Sequence, residues 1–258
     1  MCLVLLAVKS HPIYDHILLA NRDEFYERPS AQAGFWDESP HVLGGRDLRG
    51  GGTWLGVTKN GKIAAITNYR DPAVYKSNAP SRGGLVRDFL QGEEDPEQYL
   101  ESVIQKALDY NGFNLLLGDR HRILWYSNQS NQKRLLSPGI YGISNHLLDT
   151  PWPKVVRGKD LFKEIFTEGK EISSEKAFQC LRDDHIPDDK DLPDTGVGLE
   201  RERMLSPIFI TSPDYGTRSS TMLLIDKNNQ VTFIERTYDS DTNHPSTVRF
   251  GFRITKIE

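Results

Sequence analysis

The chain has 258 residues, 37% of them hydrophobic and 26% charged, with 11 Phe, 10 Tyr and 4 Trp, enough apolar material for a substantial core. A net charge of −4 without any Lys/Arg block argues against a nucleic-acid partner. The longest N-terminal apolar run, Cys2 to Val8, falls far short of the roughly 18 residues of a membrane helix and has no basic segment ahead of it. Neither integral membrane insertion nor a signal peptide is therefore expected, and the expected location is cytoplasmic, with Cys2 and Cys180 as two free thiols.

In chain order, Cys2 to Val8 reads as a strand, "KSHPIYD" as a turn and "HILLAN" as a second strand running into "NRDE". A turn centred on Pro12 opposes residues whose numbers sum to about 24, which sets Cys2 beside Arg22 and Asp23. In "GGRDLRGGGTWLGVTKNGKIAAITNY" two strand-like runs flank Asn60-Gly61, a pair suited to a two-residue type I′ turn. The glycines ahead of it lack the phosphate-loop pattern and lead into a strand, so a turn or close backbone approach is expected there.

Two amphipathic helices follow. One carries Leu85, Val86, Phe89 and Leu90; the other starts at the Asp95-Pro96 cap and carries Tyr99, Leu100, Val103, Ile104, Ala107 and Leu108. Strands are expected in "GFNLLLGD", "RILWYSN" and "GIYGISN", then helices in "PKVVRGKDLFKEIF" and "SEKAFQCLR", where Cys180 shares the apolar face with Ala177 and Leu181. After an acidic loop from Asp183 to Asp194, strands return in "PIFITS", "STMLLID", "VTFIER" and "TVRFGFRI", with a turn at Asn228-Asn229. This order fits an α+β fold of sheets covered by helices, in a single domain over residues 1–258 without repeat or linker.

Candidate chemistry starts at Cys2. Removal of Met1 would expose a thiol and an α-amine on one residue, with ordinary pKa values near 8.5 and about 7.7–8.0, so that nucleophile and base come together. The plainer reading is a small apolar residue opening a strand. Arg22 suits a thiolate or a substrate carboxylate, and Asp23 suits an α-ammonium; both also suit a salt-bridged strand end. Asn68 and Asn145 close two strands, as oxyanion donors or as ordinary turn residues. Phe25, Tyr26, Phe35, Trp36 and Trp54 line a pocket or fill the core. His185 among Asp183, Asp184, Asp188, Asp189 and Asp191 fits a solvated acidic surface better than a metal site, and no metal is expected.

Taken together, "MC", "LLANRDEFYERPS", "GGTWLGVTKNGKIAAITNYRDP", "YNGFNLLLGD", "YGISNHLLDTPWPKV" and "YGTRSSTMLLID" resemble the NRDE family, also called the transport and Golgi organisation protein 2 family, from Met1 to about Arg236. The resemblance implies a four-layer αββα sandwich of N-terminal nucleophile hydrolase type with mostly antiparallel sheets. By that motif Cys2 resembles the nucleophile, Asp23 the amine-binding Asp, Asn68 and Asn145 the two Asn positions and Arg218 a late Arg. Those hydrolases carry an Arg where Ala20 stands here, and Arg22, two positions along the strand, shares that face.

Two functions follow. In the first, Cys2 attacks a small-molecule amide or acyl bond, with Asn21, Arg22 and Trp54 as candidate substrate contacts and no cofactor required. In the second, which the resemblance implies, the same cleft binds and carries haem or a lipid-like ligand without catalysis. The seven histidines form no ligand cluster and no haem attachment motif is present.

Overall fold

Alternation of buried residues on both sides makes the opening hairpin the centre of the molecule. In the computed structural model, which describes residues 2–166, 171–238 and 245–255, β1 (Cys2–Val8) and β2 (Tyr14–Phe25) pair antiparallel with Cys2 opposite Arg22. The register sums to 24, as the turn at Pro12 predicts. On one face Val4, Leu6, Val8, Leu18 and Ala20 enter a core shared with the other sheet. On the opposite face Leu3, Leu5, Ala7, Ile17 and Leu19 pack under helices. A strand covered on both sides must be apolar on both, which is why these segments read as continuous hydrophobic runs.

The hairpin belongs to a six-stranded antiparallel sheet ordered β10-β1-β2-β11-β12-β13, built with β10 (Gly139–Ile143), β11 (Tyr215–Asp226), β12 (Gln230–Thr237) and β13 (Ser246–Arg253). Seven strands form the second sheet, in chain order: β3 (Ser30–Trp36), β4 (Ser39–Asp47), β5 (Leu55–Thr58), β6 (Ile63–Asn68), β7 (Phe113–Gly118), β8 (Ile123–Ser127) and β9 (Gln132–Leu135). Helices α1 (Gly83–Gln91) and α2 (Pro96–Lys106) cover the second sheet, and α3 (Pro153–Phe166) and α4 (Ser174–Leu181) cover the first. The result is the expected αββα sandwich. No helix among the described residues is long and apolar enough to cross a membrane.

Local chemistry accounts for most element ends. Asp95 accepts from Glu97 N and Gln98 N at 2.8 and 3.1 Å, and Asp95 N donates back to Gln98 Oε1, so the predicted cap is a full capping box. Gly52 touches the start of α1 so closely that a Cβ there would lie 2.3 Å from Gly83 C, which makes the glycine run a close backbone approach. Asn229 turns the β11–β12 connection with φ +65°.

Several expectations need correction. The Asn60-Gly61 turn is not type I′, because Gly61 alone of the pair has positive φ (+92°). Thr58 N donates to Lys62 O and Gly61 N to Thr58 O, both at 2.9 Å, giving a three-residue loop closed by Gly61. The "PIFITS" segment is no strand; Ile208 and Ile210 plug two separate cores, and Phe209 N bonds to Asp183 O instead of to a ladder. Leu108 stands 79% exposed, since the α-helix gives way to a 3₁₀ turn at Ala107–Asp109 and rotates it off the buried face. The edge strands β3 and β9 and the short helix α5 (Leu199–Leu205) lack the periodic pattern that would announce them.

Candidate active site

Strand alternation sorts the opening polar residues onto two faces. Cys2 and Arg22 continue the side of Val4, Leu18 and Ala20 that meets the other sheet, whereas Asn21 and Asp23 continue the side of Leu3 and Leu19 that meets the helices. The half-buried Cys2 thiol is pushed up from its ordinary pKa by burial, and the Asp23 carboxylate raises it further; the Arg22 guanidinium and a hydrogen bond from the Asp23 backbone N–H pull it down. Arg82, at the start of α1, also senses the thiol; burial lowers the Arg82 pKa and Nη1 donates to Gly112 O at 2.8 Å.

Arg22 is 5% exposed, and its guanidinium lies 4.4 Å over the centre of the Trp54 ring. Trp54 needs Gly45 beneath it, since a Cβ there would sit 2.4 Å from the indole. Arg22 Nη1 is buried without a hydrogen-bond partner among the described residues. Deeper between the sheets lies Glu235, which accepts from Ala33 N at 2.7 Å and Thr221 Oγ1 at 3.2 Å and whose pKa burial raises to about 7. The inter-sheet side thus offers a thiol, an aromatic wall and a guanidinium with a spare donor.

On the helix side the groups are bonded more fully. Asn21 Nδ2 donates to Leu181 O and Ile208 O, both at 2.8 Å, and its Oδ1 accepts from Ser220 Oγ at 2.6 Å. Asn21, expected among the substrate contacts, is instead a buried tie between β2 and the helix layer. Asp23 accepts from Thr217 Oγ1 at 2.7 Å, and Tyr215 Oη donates to its carbonyl at 2.9 Å. Burial raises the Asp23 carboxyl pKa, and the Lys154 ammonium is the side-chain charge that does most to lower it again.

The two asparagines meet, but not as two free donors. Asn145 is fully buried; its Nδ2 donates to Asn68 O at 3.0 Å and its Oδ1 accepts from Ser144 Oγ, which also reaches Cys2 O at 3.4 Å. Asn145 thus links β10 to the end of β6 beside Cys2. Arg218 is extruded by a bulge between Thr217 and Ser219, and its Nη1 donates to the carbonyls of Phe25, Tyr26 and Arg28 at 2.9, 2.9 and 3.2 Å. Its guanidinium clamps the turn after β2.

Of the five aromatics, Trp54 alone stacks on Arg22: Trp36 packs under α1 and α2, Phe35 packs on Phe250 and Phe252, Tyr26 lies beneath Arg218 and Phe25 is exposed against Tyr215. His146 has both ring nitrogens engaged, by Tyr69 Oη at 2.7 Å and Thr150 Oγ1 at 2.8 Å. In the acidic loop Asp183 pairs with Arg157 and Asp189 with Arg203. No group of three or more His, Cys, Asp or Glu among the described residues is arranged to hold a metal ion. Met1 and His244 lie outside the described residues.

A family model described as Transport and Golgi organisation 2 matches residues 1–240. The chain belongs to this family. It is 38% identical to the Transport and Golgi organization protein 2 homolog of Bos taurus and 36% identical to that of Homo sapiens, in each case over 98% of this chain and 99% of the relative. Among solved structures, a variant of the conjugated bile acid hydrolase of Clostridium perfringens superposes with a TM-score of 0.51 at 10% identity, covering 99% of this chain and 98% of that one. That likeness shows the N-terminal nucleophile hydrolase fold.

For this Transport and Golgi organisation 2 family member, sequence reasoning missed Lys154. It is 3% exposed, its Nζ has no hydrogen-bond partner among the described residues, and burial lowers its pKa to about 8. One signal was available: Pro153 opens α3, which places Lys154 in the first helical turn, where the helix dipole disfavours a cation.

Proposed function

We propose that this chain is a cysteine amidohydrolase of the N-terminal nucleophile type, acting on a small-molecule amide or related acyl bond. The observation that supports it is the register of β1 on β2, which sets the Cys2 thiol opposite the Arg22 guanidinium and under the Asp23 backbone N–H. Once Met1 is removed, the Cys2 α-amine takes the thiol proton as Sγ bonds to the carbonyl carbon. The tetrahedral oxyanion collapses to a thioester as the C–N bond breaks and the amine returns the proton to the leaving nitrogen. Water, deprotonated by the same amine, then attacks the thioester, releasing a carboxylic acid and restoring the thiol.

Arg22 Nη1 supplies a donor for an acyl oxygen or carboxylate, Trp54 walls the cleft, and Asn68, half-buried and with its backbone carbonyl held by Asn145, is the candidate oxyanion donor. A reducing cytosolic setting keeps the thiol free. The test is electrophile labelling and amide turnover by protein whose intact mass proves Met1 removal. The expected result is a thioester-mass adduct on Cys2 and loss of turnover on the order of 10³-fold or more in Cys2→Ala. Retention of Met1 in protein from the native host, or equal turnover by Cys2→Ala, overturns it.

One observation favours the second reading, carriage of haem or a lipid-like ligand: burial pushes the thiol up, which suits an unreactive cleft wall. That reading expects hemin or lipid binding to survive Cys2→Ala unchanged.

A further inference from the structure

From Asp183 to Met204, Glu202 is the one buried residue. A surface segment is ordinarily pinned by apolar side chains, but Ile186 and Leu199 here stand 57% and 47% exposed. A carboxylate does the pinning instead. Glu202 Oε2 accepts from Arg70 Nη1 at 2.6 Å, which fixes α5 to the chain beyond β6. Glu202 Oε1 accepts from Thr195 N at 2.9 Å and from Thr195 Oγ1 at 2.5 Å, which fixes the loop ahead of α5. Gly196 and Gly198 stand between Thr195 and α5. Their φ values of +81° and +85° are left-handed backbone suited to glycine, and a Cβ on either would meet no atom within 4 Å, so the connection has room to turn.

The loop forms one wall of a cleft of about 560 Å³, through His185, Pro187 and Asp191, while α3 forms another through Lys154 and Leu161. Pro193 and Glu202 border a smaller recess that Lys154 also lines. Ile208, in the wall of the larger cleft, accepts from Asn21 Nδ2 at 2.8 Å, so the cleft reaches the helix-side face of the β1–β2 hairpin. We propose that residues 184–195 are a gate on this cleft: Glu202 is its latch, Gly196 and Gly198 are its hinge, and its opening uncovers Lys154. The gate goes beyond the hydrolase reading and does not depend on it. A segment without buried apolar anchors belongs to the parts of a fold that open locally. The loop has a second tie to α5, Asp189 to Arg203 at 2.6 and 2.5 Å, but those side chains are 51% and 45% exposed, where an ion pair adds little. Glu202, 4% exposed, has no water at hand to replace the bonds that opening breaks.

Lys154 is a built-in reporter, since it is 3% exposed while the gate is shut. The test combines peptide-resolved hydrogen exchange with acylation of lysines by an N-hydroxysuccinimide acetate at pH 7. In Glu202→Ala, exchange over residues 184–198 and acylation of Lys154 should each rise at least about tenfold, with β1 and β2 amides unchanged. Lys190, 75% exposed, should acylate at the wild-type rate throughout. Thr195→Val, which removes one bond to the latch and no charge, should raise both readouts about threefold. Arg203→Ala should leave them at wild-type values. Unchanged Lys154 acylation in both Glu202→Ala and Thr195→Val overturns the gate, as does an Arg203→Ala effect equal to that of Glu202→Ala. Should Glu202→Ala fail to fold, Thr195→Val decides alone, and a wild-type acylation rate there overturns the proposal.

Discussion

The two faces of the β1–β2 hairpin handle buried polarity in opposite ways. On the helix side, the Asn21 side chain is committed to two backbone carbonyls and a serine hydroxyl, and Asp23 is bonded by Thr217 and Tyr215. On the inter-sheet side, Arg22 rests on Trp54 with Nη1 unfilled, next to a half-buried thiol. Polar groups that only hold a fold together are paired off, because an unmet buried donor costs about 1–3 kcal/mol. The spare Arg22 donor beside the thiol is the feature the proposed function uses; Lys154 Nζ, buried without a hydrogen-bond partner among the described residues, is the exception on the helix side.

The sharpest way to break this contrast is Asn21→Ala. Losing three buried bonds and leaving Leu181 O and Ile208 O unmet should cost about 4 kcal/mol in denaturant unfolding, with the Cys2 alkylation profile unchanged. A stable variant with altered thiol reactivity would place Asn21 with the ligand-facing groups instead.

Glu235 gives the next largest effect. Its folded pKa, about 7, lies above the ordinary carboxyl value of 4.5, so its contribution to stability is full below the unfolded value and is lost as pH rises through the folded one. Stability should fall by up to about 3 kcal/mol between pH 5 and pH 8 on this account, and Glu235→Gln should flatten that slope. An unchanged slope would show that Glu235 is ionised and paired. The smallest effect tests the open side itself: Arg22→Met should raise the Cys2 pKa and slow its alkylation about tenfold at pH 7, leaving the buried Cys180, pushed to about 12, untouched.

Much of this was legible beforehand. A proline-centred turn fixed the pairing of Cys2 with Arg22 because hairpin register depends only on where the chain reverses. Helix faces at Leu85–Leu90 and Tyr99–Val103 followed from their period, and Cys180 lies in the core, 5% exposed, where its helix face put it. The destinations of side chains were not legible in the same way. Arg218 looks like one more residue of a strand until a bulge turns it toward the Phe25–Arg28 carbonyls, and Asn21 reads like its neighbour Arg22 until Leu181 and Ile208 arrive to bind it.

The chain's own order of residues therefore determined the hairpin, the helix faces, the αββα class through its family motifs and the place of Cys2 at a strand start beside Arg22. Tertiary structure alone decided that Asn21 is a tie, that Arg218 is a clamp, that "PIFITS" is a plug and that Lys154 is buried. The physical reason is range. Turns and periodicity are set by neighbours within a few residues, whereas the partner of a buried polar group is set by which distant elements pack against it.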